Sequence, residues 1–326
     1  MSKPRVAILT MGGTIASTGA APDATTIYEL DAARNPVQEL LPILSGVADI
    51  VVEAFAHLAS HDIPIATVLD LARRIAAIRA RNEADGIVVT HGTDTLEETA
   101  YFLDLLLPAG APVVVTGAAR PASALSADGP LNLLNAVRVA TSAEAADQGV
   151  LVCMNDRLSA ARFVTKAHAT ATDAFGAAEQ GHVGAVAGGE IAFFNRPRNG
   201  TRPRFDPHAP GELPHVDIIH CHLGMSPALV DHAIADGAAG LVFASTGNGS
   251  IPAAVKPSLT TARAAGVVVV RSSRVGSGAV TSAKVDDEYG TIPAGSLNPQ
   301  KARLLLMLAL RETRDRDHIA AMFRRA

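Results

Sequence analysis

Short hydrophobic runs alternate with longer amphipathic segments along most of the chain. The short runs are rich in Val and Ile, are bounded by Gly, Pro or Asp, and predict β-strands at residues 5–10, 50–56, 86–90, 112–116 and 149–154. Between them, apolar positions recur at helical spacing and predict helices at residues 67–81, 95–107 and 130–141. This order of strands and helices is typical of a largely parallel sheet that is covered by helices and connected by right-handed crossovers.

A segment rich in Pro, Arg, Gly and His interrupts this alternation at residues 195–214. Beyond it the pattern resumes, with strands predicted at residues 216–220, 240–244 and 267–271 and helices at residues 227–236, 252–265 and 298–311. We therefore predict two α/β domains. The larger N-terminal domain, residues 1–195, has a mostly parallel sheet with flanking helices, a linker covers residues 196–213, and a smaller parallel-sheet domain covers residues 214–326.

The composition is that of a globular protein, with 326 residues of which 48% are hydrophobic and 18% charged. The formal net charge of -4 and the lack of a long basic run argue against nucleic acid as a partner. Apolar runs are far shorter than the ~20 residues of a membrane span, so no membrane partner is expected. Residues 1–5 lead directly into the first predicted strand, without the apolar segment of a signal peptide. This predicts a cytoplasmic protein, or a periplasmic one if a signal had been removed.

Two of the predicted strands end in turns that carry threonine. The first strand continues into A-I-L-T-M-G-G-T-I-A-S-T, which places Thr14 after a glycine pair, and the third continues into G-I-V-V-T-H-G-T-D-T, which places Thr93 and Asp94. Ligands collect at the carboxyl ends of strands in open α/β sheets, so the two turns predict one site built from hydroxyl groups. Such a site is typical of a hydrolase or a transferase.

Each turn also has a simpler interpretation. A glycine pair after a strand is often only a tight turn or a phosphate cradle, although neither G-x-G-x-x-G nor G-x-x-x-x-G-K-[ST] occurs. In the second turn, Asp94 and Thr95 precede a predicted helix with Glu97 and Glu98 three residues after each, which predicts a capping box. A cap does not account for the whole H-G-T-D-T string. The common serine and cysteine hydrolases lose support, because no G-x-S-x-G elbow or cysteine signature occurs.

Lys166 is a third candidate for the site. A lysine in a T-K-A-H loop is commonly a solvated surface residue. A lysine that is desolvated beside other polar groups can instead act as a base for a hydroxyl, which is a weak nucleophile by itself. Threonine, lysine and an acid would then form a relay analogous to a serine triad.

Histidine and cysteine residues cluster at the start of the predicted C-terminal domain, where a metal site is one interpretation. The cluster consists of His215, His220, Cys221 and His222. It has no matching Cys or His pair elsewhere and no acidic ligand nearby, so we expect ordinary structure and no metal. The chain has two cysteines, Cys153 and Cys221, which predict buried thiols rather than a disulfide framework.

Taken together, these motifs resemble the bacterial-type L-asparaginase and glutaminase-asparaginase family, in its type II-like form. The matching strings run in collinear order from about Val6 to the last helix: M-G-G-T-I-A-S-T, T-H-G-T-D-T-L-E-E-T-A-Y-F-L-D, V-T-G-A-A-R-P, S-A-D-G-P-L-N-L-L-N-A-V, V-T-K-A-H, F-A-S-T-G-N-G-S, V-R-S-S-R-V and L-N-P-Q-K-A-R-L-L-L. The resemblance implies a homotetramer, arranged as a dimer of intimate dimers, with no metal or organic cofactor. It also implies a site between the N-terminal domain of one subunit and the C-terminal domain of its neighbour.

The resemblance assigns catalytic roles residue by residue. Thr14 matches the nucleophile that attacks the side-chain amide carbon, and Tyr28 matches a tyrosine that assists it from a mobile lid, which we expect at residues 17–28. Thr93, Asp94 and Lys166 match a second catalytic group, in which threonine orients or activates water, lysine tunes it, and the acid also holds the α-ammonium of the substrate.

Substrate-binding roles follow from the same resemblance. Ser60 matches the serine that binds the α-carboxylate, and Asn248 belongs to the implied substrate-binding set. The backbone N–H groups of the turns at Gly13 and Gly92 are candidate donors to the developing oxyanion. The implied reaction is hydrolysis of L-asparagine to L-aspartate and ammonia, with minor L-glutaminase activity.

Two substrate-binding positions depart from the family pattern. His61 stands where the family commonly has Gln, and Lys284 stands where it commonly has a Glu that reaches the neighbour's substrate ammonium. The ammonium would then rely on Asp94, with Asp286 or Asp287 as substitutes. Because these departures affect recognition of the amino-acid head group, two other functions stay open: hydrolysis of a different small amide or ester, and ligand binding without turnover.

Overall fold

The computed structural model describes residues 2–31, 35–196 and 202–326. The chain divides into two compact units, Met1–Asn199 and Gly200–Ala326. The described strands of the first unit are β1 (Arg5–Gly12), β2 (Ser17–Thr18), β3 (Glu29–Leu30), β4 (Asp49–Leu58), β5 (Gly86–Thr90), β6 (Val113–Thr116), β7 (Val150–Met154), β8 (Arg157–Ala160), β9 (Thr165–Lys166), β10 (Phe175–Gly176), β11 (Gly184–Ala187) and β12 (Glu190–Phe193). The helices are α1 (Pro36–Leu44), α2 (Ile65–Ala80), α3 (Leu96–Leu106) and α4 (Gly129–Ala140).

Eight of the described strands form the main sheet, in the order β12-β11-β8-β7-β6-β5-β1-β4. The strands from β4 to β7 in this order pair in parallel, and β8, β11 and β12 extend the sheet antiparallel. Residues at the centre of the sheet, such as Ile8, Val88 and Val114, have no exposed surface. Strands that are buried on both faces read as continuous apolar runs, which is why the sequence identified them.

The second unit contains a smaller sheet whose described strands are all parallel. Its strands are β13 (Val216–His220), β14 (Gly240–Ser245), β15 (Val268–Ser273) and β16 (Ile292–Pro293), in that order across the sheet. Its helices are α5 (Ala228–Ala235), α6 (Lys256–Ala264), α7 (Lys284–Tyr289), α8 (Pro299–Glu312) and α9 (Arg316–Arg325). Helix α8 is buried along most of its length, from Ala302 to Leu310, and packs on β13, β14 and β15. The predicted fold class of two α/β domains is confirmed.

The predicted elements occur with ends shifted by a few residues. The largest shift is at the predicted helix 252–265, where a 3-10 turn at Ala253–Val255 precedes α6. The pattern missed α1, because Pro36 and Pro42 interrupt its apolar periodicity, although the Asn35 side chain caps it by accepting hydrogen bonds from Val37 and Gln38. It also missed β8, β11 and β12, which are only four residues long.

The linker at residues 196–213 stays a prediction, and its residues 197–201 lie outside the described ranges. None of the helices within those ranges combines the length and hydropathy that a membrane span requires. Cys153 and Cys221 are buried free thiols, as predicted. Burial, with a smaller effect of Asp156, raises the pKa of the Cys153 thiol to about 12.

Candidate active site

The two threonine turns pack directly against each other at the carboxyl edge of the main sheet. Strand β1 ends at Gly12, and Gly13 has a φ of 84°, in the left-handed region that favours glycine. A Cβ atom on Gly13 would lie 2.3 Å from the Cα atom of Gly92, and one on Gly92 would lie 2.8 Å from the Cβ atom of Ser60. Glycine at both positions therefore allows the two turns to meet.

The Thr14 hydroxyl contacts Tyr28, the tyrosine that the family resemblance assigned to it. Thr14 is 6% exposed and opens a 3-10 turn directly after β1. Its Oγ1 atom lies 3.0 Å from the hydroxyl of Tyr28 and shares a hydrogen bond with it. Tyr28 directly precedes β3, which pairs antiparallel with β2 and so closes the intervening segment into a loop. The predicted mobility of residues 17–28 stays a prediction.

The Lys166 side chain connects the three residues of the predicted second catalytic group. Its Nζ atom donates one hydrogen bond to Thr93 Oγ1 at 2.9 Å and another to Asp94 Oδ1 at 2.7 Å. The side chain is 18% exposed, so the interpretation as a solvated surface lysine is wrong. The hydrogen bond and positive charge of Lys166 lower the pKa of the Asp94 carboxyl, which is therefore ionised at neutral pH.

The prediction of a capping box is wrong, because the Thr95 side chain bonds a residue outside the helix. Thr95 is the N-cap residue of α3, but its side chain makes no capping hydrogen bond and donates instead to the Ser60 carbonyl at 2.8 Å. Glu97 accepts a hydrogen bond from the backbone N–H of Lys166 at 2.7 Å. These residues connect three parts of the site rather than ending one helix.

His91 is a buried residue that the sequence analysis did not assign to the site. Its Nδ1 atom lies 2.8 Å from the Gly92 carbonyl, and its Nε2 atom lies 2.9 Å from Thr99 Oγ1. Burial lowers its pKa to about 4, although the bond to Gly92 opposes the shift, so the ring is neutral. Since a carbonyl only accepts, Nδ1 carries the proton and Nε2 accepts from Thr99. His91 thereby fixes the Gly92 peptide. Its position in the H-G-T-D-T string is the sequence feature that could have identified it as part of the site.

The two threonine turns line one small cavity of about 140 Å³. The described residues that line it are Gly13, Thr14, Ser17, Tyr28, Leu30, Ala59, Ser60, His61, Gly92, Thr93 and Asp94. The volume is well below the roughly 300–1,000 Å³ of pockets for drug-sized ligands and suits a molecule such as an amino acid. Lys166 lies behind Thr93 and Asp94 and reaches the cavity through them.

Comparison with known proteins shows that both parts of the chain match models of one protein family. The family model described as "Asparaginase, N-terminal" matches residues 5–199, and the one described as "Glutaminase/Asparaginase C-terminal domain" matches residues 215–323. The chain belongs to the asparaginase family. The resemblance inferred from the motifs is thus confirmed, and the family is one of amidohydrolases.

Individual family members match this chain over nearly its full length. L-asparaginase 2 of Bacillus subtilis (strain 168) is 44% identical over 324 residues, which are 98% of this chain and 86% of the relative. Glutaminase-asparaginase of Pseudomonas fluorescens biotype A is 40% identical, over 98% of this chain and 89% of the relative. The crystal structure of a probable cytoplasmic L-asparaginase from Campylobacter jejuni has a TM-score of 0.94 and 40% identity, covering 99% of this chain and 100% of that one.

Two of the predicted substrate-binding residues of this asparaginase-family chain lie in the second unit and do not line the cavity. Asn248 forms two hydrogen bonds with Thr281, donating from Nδ2 to Oγ1 at 2.8 Å and accepting at Oδ1 from the backbone N–H at 2.8 Å. Lys284 is the exposed first residue of α7. Their roles toward substrate stay predictions.

The prediction that Asp286 could replace the missing acid at Lys284 is wrong. Its carboxylate is buried and accepts bonds from Arg271 Nε at 2.7 Å and from Arg271 Nη2 at 2.6 Å. It also accepts from the Thr291 hydroxyl and from the Ala283 N–H. Burial raises the pKa of this carboxyl, but the hydrogen bonds from Arg271 and Thr291 outweigh burial and lower it overall. Asp286 therefore holds the buried Arg271 guanidinium, which also donates to the Gly249 carbonyl at 3.1 Å.

Two histidines of the predicted cluster, His215 and His222, have ordinary partners. His215 Nε2 lies 3.0 Å from Asp217 Oδ1, and His222 Nδ1 lies 3.0 Å from the Leu223 carbonyl. In the described part of the chain, no three His, Cys, Asp or Glu side chains are grouped so that they could hold a metal ion.

Proposed function

We propose that this protein hydrolyses the side-chain amide of L-asparagine to L-aspartate and ammonia, with minor activity on L-glutamine. The observation that carries the proposal is the convergence of two buried threonine hydroxyls on one small cavity, each hydrogen-bonded to a group that can move or tune a proton. The printed names of the relatives, L-asparaginase and glutaminase-asparaginase, support the same substrates.

In the first step, Thr14 Oγ1 attacks the amide carbon, and its proton passes to the departing ammonia by way of the Tyr28 hydroxyl at 3.0 Å. The C–N bond breaks, and an ester between Thr14 and the substrate acyl group remains. The backbone N–H groups of the turns at Gly13 and Gly92 serve as the donors that stabilise the developing oxyanion. Glycine at both positions lets the backbone approach the substrate closely.

In the second step, water attacks the carbonyl carbon of the ester, and the bond to Thr14 Oγ1 breaks. A proton from the water passes to Thr14 Oγ1 and restores the hydroxyl. Thr93 orients the water, and the Lys166 ammonium fixes the Thr93 hydroxyl through its 2.9 Å hydrogen bond. Because the same ammonium bonds Asp94, the position of the attacking water and the position of the head-group acid are set together.

Recognition of the amino-acid head group uses two other residues of the same cavity lining. Ser60 is 5% exposed and binds the α-carboxylate, whereas the ionised Asp94 binds the α-ammonium. A buried hydroxyl and a carboxylate are suited to these two groups of opposite charge.

We also propose a homotetramer, arranged as a dimer of intimate dimers, in which the C-terminal domain of a second copy brings its Asn248 and Lys284 to the cavity. Sedimentation at micromolar concentration tests this proposal, and a monomer with full activity would contradict it. The description of the Campylobacter jejuni protein favours a cytoplasmic location, which cell fractionation tests.

The function is tested by measuring ammonia release from purified protein with L-asparagine, L-glutamine and other small amides. We expect the highest kcat/KM for asparagine and a lower one for glutamine. Higher kcat/KM for a different amide would identify another substrate. Thermal stabilisation by aspartate without any turnover would instead identify a binding protein.

A further inference from the structure

Asp94 is the only carboxylate among the described residues that line the cavity. An ammonium group that enters this cavity must therefore be neutralised mainly by Asp94. One oxygen of Asp94, Oδ1, already accepts the hydrogen bond from Lys166. The other oxygen, Oδ2, faces the imidazole of His61, with 3.6 Å between Oδ2 and Nδ1.

The His61 ring lies in a setting where its charge can change. Its side chain is 64% exposed and is in contact with solvent, and a histidine ring is charged only when it is protonated. Among the described residues of its own unit, the charged and titratable groups around it are Asp94, Asp62 at 3.6 Å from Nε2, Lys166 through Asp94, and Tyr28 in the same cavity lining. The proposed second copy would add its Lys284, a permanent cation at mildly acidic and neutral pH. When the ring is neutral, Oδ2 is available to an ammonium. When it is cationic, it pairs with Oδ2 and repels an ammonium.

We propose that His61 is a specificity-determining residue that makes binding of an α-ammonium depend on pH, because protonated His61 and the substrate ammonium compete for Asp94 Oδ2. The inference rests on the proposed hydrolysis of asparagine. Glutamine at this position would be neutral at every pH, so the competition is a property of histidine here. The chemistry at Thr14 is not involved, and the competition therefore acts on KM and leaves kcat unchanged.

The size of the effect follows from the competition. Repulsion between two unit charges about 4 Å apart near a protein surface is large enough to change affinity by tenfold or more. We expect the KM of the wild-type protein for asparagine to rise about five- to tenfold between pH 7.5 and 5.5. In His61→Gln the rise should be less than about twofold.

The experiment measures kcat and KM for asparagine at half-unit steps from pH 7.5 to 5.5 in wild type, His61→Gln and the control His57→Gln. His57 is another exposed histidine of the same unit, and it does not line the cavity. The control should behave as the wild type does. Superimposable KM profiles in wild type and His61→Gln would overturn the inference, while ammonia release at pH 7.5 would leave the proposed function intact.

A binding measurement keeps the test independent of turnover. Aspartate and succinate differ by the ammonium group alone, and each ligand has the same charge in every variant at a given pH. We expect the Kd of aspartate, measured by calorimetry, to rise about five- to tenfold between pH 7.5 and 5.5 in wild type relative to His61→Gln. Succinate should show no such difference. An equal response of both ligands would contradict competition for the ammonium site, even if asparagine were not a substrate.

Discussion

The Nζ atom of Lys166 lies 2.9 Å from the Oγ1 atom of Thr93 and donates a hydrogen bond to it. The two residues are 73 positions apart in sequence, and the short hairpin of β9 with β10 brings the lysine to the carboxyl edge of the main sheet. This relationship turns an isolated hydroxyl into part of a connected group with Asp94.

Replacing Lys166 by Met should lower kcat by roughly three to four orders of magnitude, as loss of a relay member does in serine hydrolases. The methionine keeps most of the side-chain volume but removes the donor to Thr93 and Asp94. Steady-state kinetics with asparagine checks this, and Lys256→Met, at the start of α6, is the matched control. A change confined to KM would make Lys166 a binding residue instead.

Replacing Lys284 by Glu should lower the KM for asparagine and raise glutaminase activity relative to asparaginase activity. A charged contact to a bound ammonium contributes roughly 1.5–3 kcal/mol, which corresponds to about ten- to a hundredfold in apparent affinity. Asp286 cannot supply that contact, because it is occupied by Arg271. Lys256→Glu, also at the first position of its helix, is the control. Kinetics within twofold of wild type would show that Lys284 does not face the substrate.

The neutral, buried His91 should make the N-terminal unit sensitive to acid. An unfolded histidine binds a proton below about pH 6.5, whereas folded His91 does so only near pH 4. The unfolded state therefore binds more protons between these values. The free energy of unfolding is therefore highest above pH 6.5, and it falls by up to about 3 kcal/mol as the pH decreases toward 4.

Urea denaturation of wild type and His91→Gln at pH 7.5, 6.5, 5.5 and 4.5 measures this loss. His91→Gln should be less stable than wild type at pH 7.5, because it loses the bond that holds Gly92, but its stability should fall less steeply with acid. The exposed His57→Gln control should keep the wild-type slope. Parallel slopes in all three proteins would show that His91 does not carry the acid sensitivity.

Much of the fold and of the cavity lining could be predicted from local sequence, because both depend on patterns a few residues long. Buried parallel strands read as apolar runs, and the turns after β1 and β5 carry glycine and threonine in short strings. The contacts of Thr95 and Asp286 could not be predicted this way. Thr95 bonds Ser60, 35 positions away, and Asp286 bonds Arg271 across the second unit. A distant partner replaces the capping role that the local sequence suggested for Thr95, and it replaces the substrate contact that the family position suggested for Asp286.

We expect Thr14 to become esterified by the substrate during turnover. Thr93→Val should slow the second step more than the first, so the ester should accumulate. After mixing with asparagine and quenching in acid, mass spectrometry of the digested protein should find an aspartyl group on the peptide that contains Thr14, and Thr14→Val should show no such group and lose several orders of magnitude in kcat. An acyl group on a different residue, or near wild-type turnover by Thr14→Val, would show that Thr14 is not the nucleophile.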